Sequence, residues 1–175
     1  NNDHIGFVFN PFLQFINDFI SINPMDTLYQ NIYPIYNYTQ FNEVVMSGLE
    51  CNLHYHPHFL HYLHIEQSFS FVNAFNQDNN QHISLTPSNK IKTRLNLDLT
   101  SFNMPLGFKN FKLYHVYSFK QENTAPYEKF TSAYNVVNME IICAPFEKMN
   151  LGFGLKNLFN EEYVPHLSRI RDVAG

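Results

Sequence analysis

Tryptophan is absent from this 175-residue chain, and glycine (6), cysteine (2) and charged residues (15%) are scarce. Each shortage excludes something. Two cysteines cannot form a disulfide framework in a chain of this length, so Cys51 and Cys143, each set among alternating apolar positions, are expected to act as small apolar side chains. So few glycines leave no phosphate-cradling loop. With no HExxH, no paired CxxC and no nucleophile, base and orienter set, neither an enzyme nor a cofactor is expected. The net charge of -4, with no basic run anywhere, excludes a general nucleic-acid binder. No stretch approaches the ~18 consecutive apolar residues of a membrane-spanning helix, although a β-barrel would not display one either. The chain starts on Asn1-Asn2-Asp3 without an initiator Met or a signal pattern, as a mature product or an excised piece would, and a piece is expected.

What is present is Phe and Tyr, spread throughout, and a period of two. The length suffices for one domain with a core. Residues 4–22 read as one long strand, bulged near Pro11 and ended by Asn23-Pro24-Met25-Asp26, with a polar and aromatic loop to about Tyr33. The longest β signal covers residues 35–56, where Leu49, Cys51, Leu53 and Tyr55 oppose Glu50, Asn52, His54 and His56. Pro57 is expected to turn the chain tightly into a strand over residues 59–75. Leu95, Leu97 and Leu99 then alternate with Lys92, Arg94 and Asp98, a face too charged for a soluble protein's interior. It must be wet. Val137, Met139 and Ile141 alternate with Asn138 and Glu140, and Leu151, Phe153 and Leu155 with Gly152, Gly154 and Lys156. About seven strands and no helix of ordinary length result.

The connections carry further information. Long polar loops after about Ile22, Phe75 and Phe119 alternate with short turns at Pro57, Pro105 and Pro145, which is the pattern of an antiparallel up-and-down transmembrane β-barrel. In that arrangement Leu95, Leu97, Leu99, Val137, Met139, Ile141, Leu151, Phe153 and Leu155 face lipid, while Glu50, Lys92, Arg94, Asp98, Glu140 and Lys156 face the lumen. The competing reading is a soluble β-sandwich that binds carbohydrate or protein, in which the same alternation separates a core from a solvated face. Strand length counts against it, because globular strands usually run ~5–6 residues.

The tail, Lys156-Asn157-Leu158-Phe159-Asn160 with Tyr163 and then His166-Leu167-Ser168-Arg169, resembles the C-terminal signature of TonB-dependent outer-membrane receptors. The resemblance implies that Asn157 lies at the outer end of the penultimate strand, and all three long loops then fall on the outside. The closing strand of the family and its plug domain are not in this sequence, so the expectation is a single partial barrel domain over residues 1–175, a fragment of a barrel of about 22 strands. The implied partners are the lipid bilayer, the rest of the barrel with its plug, the TonB complex through the absent N-terminal part, and a small nutrient: an iron chelate, haem, cobalamin or another metal complex. The implied location is the outer membrane of a Gram-negative bacterium.

Ligand contact is expected from His166, Arg169 and Arg171 in the last outward loop and from Tyr33 and Tyr36. For His166 to Arg171 a loop-packing role stands beside it, and for the tyrosines a role as interface anchors. His54 and His56 share a strand face and lie close to His58, so these three are the alternative to the expectation of no metal site. Pro57 assigns them to a periplasm-side turn.

Overall fold

The computed structural model describes residues 4–30 and 33–168. These residues build eight strands: β1 Ile5–Tyr29, β2 Tyr33–Tyr55, β3 Leu63–Asn76, β4 Gln81–His82, β5 Lys90–Asp98, β6 Phe108–Ser118, β7 Tyr134–Phe146 and β8 Met149–Leu155. All pairings are antiparallel, and the order β1-β2-β3-β5-β6-β7-β8 follows the chain, with the short β4 set against β3. This is the up-and-down sheet of a barrel segment. Among the described residues the only helical elements are two three-residue turns, Thr100–Phe102 and Pro105–Gly107.

Register follows from the period-two pattern, because a slip by one residue would send every side chain to the opposite face. Glu66 lies between His54 and Arg94, and Arg94 is followed by Tyr114 and Asn138, one polar row across five strands. One step along, Tyr55, Ile65, Leu95, Leu113, Met139 and Leu155 form an apolar row on the other face. No second sheet packs on that apolar face among the described residues. A β-sandwich requires one, so the soluble alternative finds no support in this architecture.

Several boundaries differ from the sequence expectation, each for a physical reason. The loop expected over residues 23–33 is mostly strand: β1 and β2 pair again at Leu28 with Pro34 and Tyr29 with Tyr33 after a bulge that begins at Pro24. The bulge absorbs the missing proline N–H, and the hairpin continues. Gln30, with φ of 53°, turns it. The tight turn expected at Pro57 is a loop over residues 56–62, made of two successive turns closed by Leu60 N–H to Pro57 O at 3.2 Å and Leu63 N–H to Leu60 O at 2.9 Å. β3 therefore starts at Leu63, not at Phe59. The two-residue β4 adds an eighth strand that no alternation announced.

A small buried cluster of Val44, Ala74 and Ile83, flanked by Phe19, Phe41 and Met46, lies where β3 ends against the middle of β2. Beside it, Gly48 pairs with Phe12, whose ring covers it. A Cβ at Gly48 would collide with that ring and stand 2.6 Å from the backbone oxygen of Phe71, which cannot move aside. Gly152 has nothing within 4 Å of the same position. Gly48→Ala is therefore expected to lose roughly 1–3 kcal/mol of stability through overpacking, and Gly152→Ala to be nearly neutral. Urea unfolding of the detergent-folded protein, followed by gel mobility, measures both. Equal midpoints for the two variants would refute the packing described here.

Candidate functional site

The polar face is the candidate site, and cross-strand neighbours set its electrostatics. Arg94 Nη1 lies 2.8 Å from Glu66 Oε2, and its guanidinium sits 5.2 Å from the centre of the Tyr114 ring. Lys112 Nζ lies 3.7 Å from Glu140 Oε1. These pairs are half-exposed, so each contributes about 1 kcal/mol or less. Their importance is positional: opposite charges face each other in register, and Lys92 stands on the same wall with no ion pair among the described residues. A trough of about 520 Å³ opens there, lined by His54, Glu66, Ser68, Lys92, Arg94 and Tyr114 among others. It presents donors, acceptors and one aromatic face to whatever fills it.

The expected residues divide as follows. Glu50, Lys92, Arg94, Asp98 and Glu140 share the polar face by register. Asp98 is also spent locally, because its Oδ1 accepts from Thr100 N at 2.9 Å and Thr100 Oγ1 at 2.6 Å and ends β5. Lys156 is exposed just beyond β8. Leu95, Leu97, Val137, Met139, Ile141, Leu151, Phe153 and Leu155 fall on the opposite face, and Leu99 continues it one step past β5 through its N–H to Lys109 O at 2.7 Å. Tyr33 and Tyr36 are exposed at the β1–β2 hairpin, opposite Tyr29 and Pro24. Arg169 and Arg171 lie outside the described residues.

His166 belongs to a different environment. It is 4% exposed, its Nδ1 stands 2.8 Å from Thr131 Oγ1, and its Nε2 stands 3.2 Å from Glu128 Oε1. Glu128 in turn accepts from Leu85 N at 3.0 Å and Ala125 N at 3.1 Å. Gln121, also buried, donates from Nε2 to Thr86 O at 2.9 Å. Three connections, over residues 83–89, 119–133 and 156–168, are thereby fastened at one point. A ring enclosed in this way packs loops together, and the structure seats His166 there rather than on a ligand-accessible surface. The sequence pattern gives only a long polar loop after about Phe119 and singles out none of Gln121, Glu128 and Thr131. No periodic signal marks them, because their partners come from distant loops.

The tail motif acquires a mechanical meaning. Asn157 adopts φ of 53°, its N–H donates to Asn138 Oδ1 at 2.8 Å, and its side-chain amide exchanges two 2.9 Å bonds with the backbone of Glu161. It ends β8 and folds the next residues back on themselves. Tyr163 then stacks on Tyr134 at 4.5 Å.

His54, His56 and His58 lie at the opposite end. The His56 ring stacks on His64 at 4.2 Å and the His58 ring sits 3.2 Å from that of His4. Among the described residues, no three of His, Cys, Asp or Glu converge as they stand on a point that would hold an ion.

No protein-family model matches the chain. No curated protein matches it in sequence. Among solved structures, "Copper transporter OprC" superposes with a TM-score of 0.77 at 14% identity, over 95% of this chain and 25% of that one. The chain thus spans about a quarter of that structure's length, and the likeness is one of fold.

Burial opposes ionisation of Glu128, but the contacts with His166 and with the Leu85 and Ala125 amides outweigh it and hold the carboxyl below its ordinary 4.5. A depressed carboxyl adds stability that is fully present above 4.5 and is lost as pH falls through the lower folded value. Loop fastening should therefore be constant near neutrality and fail only in acid below that range. Removing one buried partner by His166→Ala should weaken it by about 3 kcal/mol, which speeds amide exchange at Leu85 and Ala125 on the order of 100-fold. Unchanged exchange at both amides would refute the fastening.

Proposed function

We propose that this chain is a wall segment of an outer-membrane β-barrel transporter that captures a scarce nutrient and imports it by energy coupling of the TonB-dependent type. The observation that carries the reading is a single antiparallel sheet whose apolar face has no second sheet over it among the described residues, while its other face carries ion pairs. Lipid accepts the first face and a hydrated lumen accepts the second. Leu95, Leu97, Leu99, Val137, Met139, Ile141, Leu151, Phe153 and Leu155 then meet acyl chains, and Glu50, Lys92, Arg94, Asp98, Glu140 and Lys156 belong to the lumen side.

Three further observations support this reading. β1 and β2, with 25 and 23 residues, exceed the ~9–11 needed to cross a bilayer and would stand above it as an outer wall. The fastened loops over residues 83–89, 119–133 and 156–168 share the end of the sheet that the tail resemblance assigns to the outside. The fold likeness to "Copper transporter OprC" makes copper, free or chelated, one candidate cargo beside iron chelates, haem and cobalamin. Ligand contact would then fall to the polar trough, to Tyr33 and Tyr36 at the hairpin, and to Arg169 and Arg171. Energy coupling and the plug would come from parts of the transporter outside these residues.

Two measurements test the reading. Leu95→Arg or Phe153→Arg should destabilise the folded barrel by about 2–4 kcal/mol near the bilayer midplane, whereas Lys92→Ala should be nearly silent. Both are read from urea titration in liposomes. A strain lacking the protein, grown on single sources of copper, iron, haem, cobalamin and zinc, should fail on one of them. Recovery of the protein in the soluble fraction, without heat-modifiable mobility, would overturn the barrel, and normal growth on every source would overturn import.

A further inference from the structure

Six of the chain's nine histidines, His4, His54, His56, His58, His61 and His64, gather where β1 begins and β2 passes into β3. The ladder explains the assembly. His56 N–H donates to His4 O at 2.8 Å, one step beyond the last β1–β2 pair, and the β2–β3 register extended from Tyr55–Ile65 brings His56 opposite His64. His4, His56 and His64 thus form one row on the polar face.

Two rings in this group are held in a defined tautomer. His4 Nδ1 lies 3.2 Å from His56 O, and a carbonyl only accepts, so Nδ1 carries the proton. Its Nε2 is then a lone pair, and it is buried with no hydrogen-bond partner. His56 Nε2 likewise donates to His61 O at 2.8 Å, which leaves Nδ1 as the lone-pair nitrogen. An imidazole with one N–H fixed on a backbone carbonyl and the other nitrogen unprotonated has the arrangement found in metal-ligating histidines. The two ring centres are 6.1 Å apart. With metal–nitrogen bonds of about 2.0–2.1 Å, two imidazoles on one ion have centres about 5–6 Å apart.

His58 supplies the third nitrogen. It lies in the exposed loop, and its ring centre is 3.2 Å from that of His4, nearer than the roughly 4.5–7 Å at which aromatic rings pack favourably. Rotating His58 outward opens the space between the rings without disturbing a strand. The geometry points to a transition-metal site formed by His4, His56 and His58 at this end of the sheet, completed when an ion draws His58 away from its tilted position against His4. Three imidazoles without thiolate or carboxylate suit Cu²⁺, Zn²⁺ or Ni²⁺ and exclude Ca²⁺ and Mg²⁺ as its occupants. The site stands whether or not its metal is the transported cargo.

The test is a Cu²⁺ titration of the full barrel protein in detergent, read by calorimetry and by nitrogen hyperfine structure in electron paramagnetic resonance. The expected result is an ion bound per chain through at least two imidazole nitrogens, with affinity lowered at least about tenfold by His58→Ala and by His4→Ala. His61→Ala should leave affinity unchanged, because only the backbone carbonyl of His61 takes part, and His115→Ala, distant from the group, should also be silent. His58→Ala changes an exposed loop side chain, so it keeps the test valid if His4→Ala fails to fold. Equal affinity of the parent and His58→Ala would overturn the assignment. So would a loss in His61→Ala as large as that in His58→Ala, which would mean diffuse binding to a histidine-rich surface.

Discussion

Everything in this structure depends on an antiparallel ladder that runs from β1 to β8, bulged in three pairings, with one polar and one apolar face. In the proposed barrel, each backbone group of a strand that faces lipid must find its partner on the neighbouring strand, because an unsatisfied one costs several kcal/mol where no water can replace it. The ladder therefore demands pairing, and the period-two side-chain pattern fixes its register. Register then decides which charges meet: Glu66 finds Arg94, and Lys112 finds Glu140, only because Leu95 and Leu113 are already opposed on the other side. These ion pairs are consequences of alignment more than causes of it. Solvated as they are, they add little net energy, but a slipped register would set Leu95 and Leu97 against the wet face and is excluded by that alone.

The same constraint explains which parts of the fold the sequence made legible. Alternation is local, so Leu95 against Arg94, or Phe153 against Gly152, could be read along one strand without knowledge of its neighbours. Strand ends are not local. Pro24 looked like a terminus because it cannot donate to a ladder, yet the hairpin tolerates it with a bulge and resumes through Leu28 and Tyr29, whose partners Pro34 and Tyr33 lie across the turn. Pro57 looked like a sharp reversal, but two successive turns carry the chain through residues 56–62 before pairing resumes at Leu63. Nothing in a period-two pattern reveals that Glu128 receives two amides and an imidazole, since that pocket assembles from three loops only after the strands have set their spacing.

The two ends of the sheet solve different problems. At the loop end, a carboxylate and an imidazole, each with a side chain 1% exposed, are enclosed together with buried Gln121 and Thr131. Burying a carboxylate is a poor way to gain stability compared with apolar packing, but taking away one of its hydrogen-bond partners is expensive, and this asymmetry defines a single arrangement of the loops over it. Apolar packing alone would tolerate sliding. Polar partners with fixed directions do not, and a surface of exposed connections holds one shape by that means. At the other end, His4 and His56 donate their ring N–H groups to the backbone carbonyls of His56 and His61, and lone pairs are left over, that of His4 buried. One end consumes its polar groups in structure, and the other retains nitrogens able to take a ligand.

The edges of the sheet lead to the same architecture by another route. β1 is 25 residues long and pairs along one side only among the described residues. Its exposed residues include Ile5 and Phe7, both at 64%, Leu13 at 59% and Phe15 at 76%. Proteins that leave an edge in water blunt it with lysines, inward charges or brevity. β1 contains no lysine or arginine, its only charged residues are Asp18 and Asp26, and only Pro11 and Pro24 interrupt its donors. By composition it is an interior strand. An apolar edge of this length would recruit other chains in water, whereas in the proposed barrel a neighbouring strand would pair it and lipid would cover its phenylalanines. The side chains of β1 thus fit the proposed barrel independently of the tail motif, because they suit a strand paired on both sides.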